Sequence, residues 1–244
     1  MADIVLVHGW GRGSKSFDAL KVLLEKRGHV VYAPDLPGFG VASPPDTAWG
    51  IDEYAVFVRD YIEKRDLRDF YLYGHSFGGQ IAVKLAATRP VRLQGLILAS
   101  AAGIRPRPSV KVSIFQFFSA IGKMVFSLSV ASAFREPVRK FVYWLSGERD
   151  YYHLQAPVMK EIFKKVIRED LTDYFQKISV PTLIVWGEND KMTPLADAHT
   201  MHTNIPGSRL EILEGVGHTP HVECPEKVAE LMDTFINSND IASR

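Results

Sequence analysis

The chain has 244 residues, which is enough for one domain with a full hydrophobic core and an inserted subdomain. Hydrophobic residues make up 46% of it and charged residues 23%, as in soluble globular proteins. With 29 basic and 28 acidic residues, it lacks the concentrated positive charge that binding to nucleic acid or an anionic membrane requires. We therefore expect neither as its main partner.

The sequence predicts a cytoplasmic protein. Cys224 is the only cysteine, which excludes an intrachain disulfide and fits a reducing compartment. Asp3 stands before an N-terminal run of only four apolar residues, and no basic region precedes that run, unlike in a secretion signal. Residues 114–134 are apolar and long enough to cross a bilayer. Lys123 near their centre would cost roughly 2.5 to 3.5 kcal/mol there, so we expect a buried or pocket-facing element and no stable membrane insertion.

Short apolar runs alternate with amphipathic stretches in the first part of the chain. This pattern is typical of parallel strands joined by crossover helices. The predicted elements, in chain order, are a strand at 3–9, a helix at 16–28, a strand at 29–35, a helix at 51–65, a strand at 69–74, a helix at 77–88 and a strand at 93–101.

The alternation stops between residues 104 and 177. This segment has no strand-like run with turn signals on both sides, and prolines interrupt it. We interpret 104–177 as a helical cap, or lid, inserted into an α/β core made of 1–103 and 178–244. The core pattern resumes with a strand at 180–190, a helix at 195–202, a strand at 209–215 and a closing helix at 225–235.

Residues 73–80 read YGHSFGGQ and place a serine between glycines, after a predicted strand and before a predicted helix. In that context Gly-x-Ser-x-Gly predicts a nucleophile on a sharp turn. Gly74 and Gly78 would be needed where a β-carbon would collide with neighbouring backbone. Ser76 would then project its hydroxyl above the sheet; the alternative is a serine that only caps the helix.

A serine hydroxyl needs a base to take its proton, and the base needs a carboxylate that orients it. His218, in the loop GVGHTPH after a strand, is the predicted base, and His221 is its rival. Asp190, in GEND after another strand, is the predicted carboxylate, with Glu188 as the alternative. Either acid could instead cap the following helix.

The other histidines are expected to have structural or surface roles, with His75 packed beneath the serine. They are His8, His29, His75, His153, His199 and His202.

Two backbone N–H groups are predicted to form an oxyanion hole. One is that of Phe77, directly after the serine, and the other is that of Trp10, in the glycine-rich loop after the first strand. The same loop, HGWGRGS, could cradle a phosphate. Nucleotide binding ranks low because the loop lacks the Gly-x-Gly-x-x-Gly and Walker spacings.

These motifs together resemble the α/β-hydrolase superfamily over almost the whole chain. The matching pieces are HGWG at 8–11, DLPGFG at 35–40, GHSFGG at 74–79, GEND at 187–190 and GHTPHVECPEKV at 217–228. The resemblance implies a mostly parallel, doubly wound sheet with a helical cap after the sixth family strand, where 104–177 falls. Within the superfamily the chain is most similar to small capped serine carboxylesterases, including pimeloyl-carrier-protein methyl ester esterases.

One departure from the superfamily concerns the start of the sheet. Members usually begin with a two-stranded hairpin before the strand that ends in His-Gly, whereas here that strand begins at Asp3. We therefore expect about six strands and an exposed edge. A dimer formed through that edge, or a short replacement for the hairpin, are the two hypotheses.

The predicted reaction is cleavage of a carboxylic ester through an acyl-enzyme, with no metal or organic cofactor. A serine at the turn argues against the dehalogenase and epoxide hydrolase chemistries of the superfamily. Aromatic and apolar cap residues would suit an apolar acyl chain or aromatic ring, although some would serve only for packing. The predicted pocket residues are Phe115, Phe118, Met124, Tyr143 and Trp144.

Other functions remain open at this stage. Four cap arginines could bind a substrate carboxylate, as in hydrolases that cleave carbon–carbon bonds of ring-fission products, or dock an acyl-carrier protein; otherwise they are solvated charges. They are Arg105, Arg107, Arg135 and Arg139. A hydrolase-fold receptor for a small molecule would keep the same three polar residues.

Overall fold

The computed structural model describes residues 1–88, 92–105 and 156–242. Within these ranges the strands form one six-stranded sheet in the order β2-β1-β3-β4-β5-β6, and every neighbouring pair is parallel. The strands are β1 Asp3–Val7, β2 Val30–Tyr32, β3 Phe70–His75, β4 Leu93–Ala99, β5 Thr182–Gly187 and β6 Arg209–Leu213.

Helices follow most of the strands in these ranges, and a short 3-10 turn at Ser14–Phe17 precedes the first helix. The helices are α1 Asp18–Lys26, α2 Ile51–Glu63, α3 Phe77–Ala87, α4 Pro157–Val166, α5 Thr172–Phe175, α6 Leu195–Asn204, α7 Pro220–Glu223 and α8 Pro225–Ala242. None of the helices in the described part of the chain combines the length and hydrophobicity needed to cross a bilayer.

Alternation along the strands sends side chains to two separate cores, one on each face of the sheet. In β1, Val5 and Val7 join the core that α2, α3, α4 and α6 cover. Ile4 and Leu6 join the opposite core, which α1 and α8 cover. Because successive strand residues point to opposite faces, both faces are apolar, as a doubly wound sheet requires. The predicted fold class is confirmed.

The ends of several elements differ from the sequence prediction. The second strand is confined to Val30–Tyr32, and the closing helix continues to Ala242 instead of ending near 235. The added turns begin at Ile236, which is fully buried, so packing extends the helix through a polar sequence that predicts little on its own. The short helix α7 was not predicted.

The described part of the predicted cap consists of α4 and α5. Two side chains of α3 hold this region: Gln80 Nε2 donates to the Val166 carbonyl at 3.0 Å, and Lys84 Nζ pairs with Glu169 at 3.0 Å. The five predicted pocket residues, with Arg107, Arg135 and Arg139, lie outside the described residues. The cap boundaries at 104 and 177 therefore remain a prediction.

Candidate active site

Ser76 occupies a strained turn between β3 and α3. Its backbone has φ +51° and ψ −116°, a conformation that non-glycine residues seldom adopt. A β-carbon at Gly78 would lie 2.1 Å from the Val7 carbonyl oxygen, and one at Gly74 would lie 2.5 Å from the Gly78 carbonyl oxygen. The turn therefore needs both glycines, and it places Ser76 at the carboxyl end of the sheet.

A chain of hydrogen bonds connects Ser76 with the predicted histidine and carboxylate. His218, in the loop after β6, has Nε2 3.1 Å from Ser76 Oγ. Its Nδ1 lies 2.8 Å from Oδ2 of Asp190, which follows β5. A carboxylate that accepts from Nδ1–H fixes the tautomer in which Nε2 is free to accept a proton. The three residues are thus arranged for proton transfer from Ser76.

The Asp190 carboxylate is held in its ionised form. Its side chain is fully buried, and it accepts hydrogen bonds from the backbone N–H groups of Met192 at 2.8 Å and Thr193 at 3.0 Å. Thr193 Oγ1 also donates to its Oδ2 at 2.7 Å. Burial alone would raise the pKa of Asp190, but the hydrogen bonds from His218 and Thr193 and the charge of His218 lower that pKa to about 2. Asp190 is therefore a carboxylate at neutral pH.

Glu188 and His221, the alternatives to Asp190 and His218, lie outside this chain of hydrogen bonds. Glu188 accepts a hydrogen bond from the Gly215 backbone N–H at 3.1 Å and supports the base of the histidine loop. His221 is buried, with its ring centroid 4.5 Å from that of His75. Burial foremost, with the charges of Arg12 and His218, lowers the pKa of His221 to about 3. His221 is a neutral packing residue beneath the site.

Of the remaining histidines, those within the described ranges bind other partners or solvent. His8 accepts from the Leu36 backbone N–H at 3.0 Å, His29 lies 3.0 Å from Asp233, and His202 lies 3.0 Å from Ser208. His199 is exposed, and His153 lies outside the described residues.

The two predicted oxyanion donors lie beside the turn. Phe77 is the first residue of α3, so its backbone N–H has no partner within the helix. The Trp10 backbone N–H donates to no acceptor within the described ranges. A β-carbon at Gly9 would lie 3.3 Å from the Ser76 β-carbon, so the loop that carries Trp10 closely approaches the serine. Within the described residues, neither N–H group has a backbone acceptor.

Aromatic rings surround Trp10 on the side of the site that the described cap residues cover. The ring centroid of Trp10 lies 4.8 Å from that of Phe39, 5.3 Å from that of Phe77 and 5.1 Å from that of Phe163 in α4. Sequence reasoning missed Phe39 and Phe163 as site residues. Two sequence features could have indicated them. Phe39 lies in the DLPGFG motif, and Phe163 follows buried Met159 by four positions, on the same helix face.

The sequence also did not predict two residues whose hydrogen bonds support the His218 loop. The Glu223 carboxylate accepts from the backbone N–H groups of Gly217 at 2.7 Å and Thr219 at 2.9 Å. His75 Nε2 lies 2.8 Å from the carbonyl oxygen of His218. Nothing in the local sequence around Glu223 or His75 indicates these contacts.

The fold and site define a class of protein. A doubly wound parallel sheet that carries a serine on a strand-to-helix turn, followed in the chain by an acid and a histidine at later strand ends, is the arrangement of α/β hydrolases. The model of the alpha/beta hydrolase family matches residues 4–231. The chain belongs to the alpha/beta hydrolase family.

Several similar proteins are esterases or lipases by name. The chain is 26% identical over 253 residues to a pimeloyl-[acyl-carrier protein] methyl ester esterase of Nitrosomonas europaea, covering 96% of this chain and 95% of that protein. It is 27% identical over 262 residues to the monoacylglycerol lipase abhd6-A of Xenopus laevis, covering 97% and 76%. The solved esterase EaEST of Exiguobacterium antarcticum aligns with a TM-score of 0.73 at 28% identity, covering 97% and 92%. The chain is therefore an esterase-like α/β hydrolase.

The site offers no recognisable place for a metal among the residues that the structure describes. Within those ranges, no group of three or more histidine, cysteine, aspartate or glutamate side chains is placed to hold an ion.

Proposed function

We propose that the protein is a serine esterase that cleaves carboxylic esters through an acyl-enzyme, with Ser76 as nucleophile, His218 as general base and Asp190 as the carboxylate that orients the base. The observation that carries the proposal is the hydrogen-bonded chain of 3.1 and 2.8 Å from Ser76 through His218 to Asp190. A serine at ordinary pKa is a poor nucleophile without such a base. The strained turn exposes its hydroxyl to a substrate.

In the first half of the reaction, Ser76 Oγ attacks the ester carbonyl while its proton passes to His218 Nε2. The Asp190 carboxylate stabilises the imidazolium, and the backbone N–H groups of Trp10 and Phe77 stabilise the oxyanion. The tetrahedral intermediate collapses when His218 returns the proton to the departing alcohol. Water then attacks the acyl-enzyme, with His218 again as base, and releases the carboxylic acid and Ser76.

The proposed substrates are esters with an apolar acyl or aromatic group. The rings of Trp10, Phe39, Phe77 and Phe163 supply an apolar wall beside the proposed oxyanion hole, which suits such groups. The names of the relatives point the same way, because one acts on a methyl ester and another on a monoacylglycerol. We propose a small-molecule ester as the substrate. An ester whose acyl group is attached to an acyl-carrier protein is the second proposed substrate. We place this activity in the cytoplasm on the basis of the single cysteine.

The test is steady-state hydrolysis of p-nitrophenyl esters from acetate to laurate by the wild type and Ser76→Ala. We expect the substitution to lower kcat/KM about a thousandfold or more, because it removes the nucleophile. Ser43→Ala is the control, since Ser43 lies exposed in a loop and should leave the rate unchanged. The chain length of the best ester would measure the acyl pocket.

Equal rates in the wild type and Ser76→Ala would exclude Ser76 from the chemistry. A single slow turnover with a lasting adduct would favour the receptor hypothesis over the esterase. Turnover of ring-fission products without turnover of esters would favour the carbon–carbon hydrolase.

A further inference from the structure

The His75 side chain lies where three parts of the site meet. It is the last residue of β3, directly before Ser76, and only 2% of it is exposed. Its Nε2 lies 2.8 Å from the carbonyl oxygen of His218. A β-carbon at Gly9 would lie 2.7 Å from its Nδ1. The ring therefore touches the serine turn, the loop of Trp10 and the loop of His218.

The contact with His218 defines the protonation of His75. A carbonyl oxygen can only accept, so His75 Nε2 must carry the proton and donate it. Burial foremost, with the positive charge of His221 and His218 when protonated, lowers the pKa of His75 well below its ordinary value. The ring is thus neutral, and its one hydrogen bond is directed at the backbone of the proposed base.

That bond is not explained by stability alone. The Nδ1 of His75 is buried and makes no hydrogen bond within the described part of the chain, which costs free energy that an apolar side chain of similar size would avoid. The His218 side chain contacts Ser76, Asp190 and Thr193. Glu223 accepts from the backbone N–H groups on either side of His218. Among the described residues, the hydrogen bond to the carbonyl of His218 itself comes from His75.

We infer that His75 is a positioning residue, which holds the backbone of His218 so that its imidazole meets both Ser76 and Asp190. The inference rests on the proposed function. Because a displacement of about 1 Å can lower a catalysed rate on the order of a hundredfold, loss of this bond should lower kcat without removing any reacting group. KM should change little, because His75 is shielded from the substrate by Ser76 and its own burial.

The experiment compares His75→Gln with His75→Asn in the intact protein. The glutamine amide nitrogen can occupy the place of Nε2 and donate to His218, whereas the shorter asparagine amide reaches only the place of Nδ1. We expect His75→Asn to lower kcat by about 30-fold, and His75→Gln to stay within about fivefold of the wild type. The rates are divided by the fraction of folded protein, measured by circular dichroism, so that unfolded protein does not count.

A proton NMR spectrum supplies a second measurement. The proton shared by His218 Nδ1 and Asp190 should resonate far downfield in the wild type and in His75→Gln, as short hydrogen bonds to carboxylates do. The signal should weaken or shift in His75→Asn. Equal kcat values for Asn and Gln, or an unchanged downfield signal in His75→Asn, would overturn the inference, because His75 would then act only through its bulk.

Ser76→Ala in the same assay separates this inference from the proposed function. If Ser76→Ala is as active as the wild type, the proposed function fails. If Ser76→Ala is inactive and His75→Asn is fully active, the proposed function stands and only the positioning role of His75 fails.

Discussion

The Ser76 turn and the His218 loop meet at one hydrogen bond but are built in different ways. The turn is held by close backbone packing: β-carbons at Gly74 and Gly78 would each fall within 2.5 Å of a carbonyl oxygen. The loop is held by side-chain hydrogen bonds: Asp190 and His75 reach it from other parts of the chain, and Glu223 follows it by a few residues. Close backbone packing leaves the turn no room to shift. The loop depends on separate hydrogen bonds, which can be removed one at a time.

The two regions also differ in charge. Asp190 and Glu223, the two carboxylates that support the His218 loop, both have a lowered pKa. For Glu223, burial would raise the pKa, but hydrogen bonds from Gly217 and Thr219 lower it. The described contacts of the turn involve no ionised side chain, since Ser76 N–H donates to the Ala99 carbonyl at 3.2 Å and the Ala102 N–H donates to the Ser76 carbonyl at 3.0 Å. We therefore expect acid to loosen the loop before the turn.

The largest expected effect comes from Asp190→Asn. The amide keeps the shape of the side chain but cannot stabilise an imidazolium, and it permits the wrong His218 tautomer. We expect kcat to fall by about 10³- to 10⁴-fold, measured by ester hydrolysis on folded protein. Glu188→Gln is the matched control, because the glutamine amide oxygen can still accept the hydrogen bond from the Gly215 N–H; we expect kcat to change by less than about threefold. A comparable fall in both variants would contradict the assignment of Asp190 alone, and a fall in Glu188→Gln without one in Asp190→Asn would reverse it.

Gly78→Ala should destabilise the turn sharply. The new β-carbon would lie 2.1 Å from the Val7 carbonyl oxygen, and backbone in the centre of the sheet cannot move aside. We expect the free energy of unfolding in urea to fall by about 3 kcal/mol or more. Gly50→Ala is the control, because its nearest neighbour is the flexible Glu53 carboxylate at 3.3 Å; we expect a change below about 1 kcal/mol. Similar losses in both variants would refute the packing account of the turn.

A smaller effect concerns stability in acid. The pKa of Asp190 is about 2 in the folded protein, against an ordinary value of 3.8. A lowered folded pKa stabilises the protein above the ordinary value, and this stabilisation is lost as the pH falls from about 4 through 2. Between pH 6 and 2 the wild type should lose about 2 kcal/mol more of its unfolding free energy than Asp190→Asn. Urea titrations at several pH values measure this difference, and parallel curves would contradict it.

The same contrast explains what the sequence could predict. The turn has a local sequence signature, because Gly74 and Gly78 must stand two positions before and after Ser76. The motifs GEND and GVGHTPH likewise place Asp190 and His218 directly after apolar strands. The alternation of apolar runs with amphipathic stretches predicted the order of the six strands and the helices between them, apart from the short α7. These features depend on neighbours in the chain.

Most of the contacts that were missed depend on distant residues; Glu223, which lies only a few positions from Gly217 and Thr219, is the exception. His75 and the His218 carbonyl are 143 positions apart in sequence, and Phe163 meets Trp10 only because α4 packs over the site. The end of α8 was misjudged because buried Ile236 extends the helix through an otherwise polar stretch. Tertiary packing determines such contacts, and no short sequence motif predicts them.

The most direct test of the central claim, that His218 activates Ser76 as a nucleophile, is reaction with a fluorophosphonate followed by peptide mass spectrometry. In this reaction the Ser76 Oγ–phosphorus bond forms, fluoride leaves and the serine proton passes to His218. We expect one adduct per chain, on the peptide that contains Ser76, and labelling at least about a hundredfold slower in His218→Ala. An adduct on another residue, or equally fast labelling of Ser76 in His218→Ala, would contradict the account.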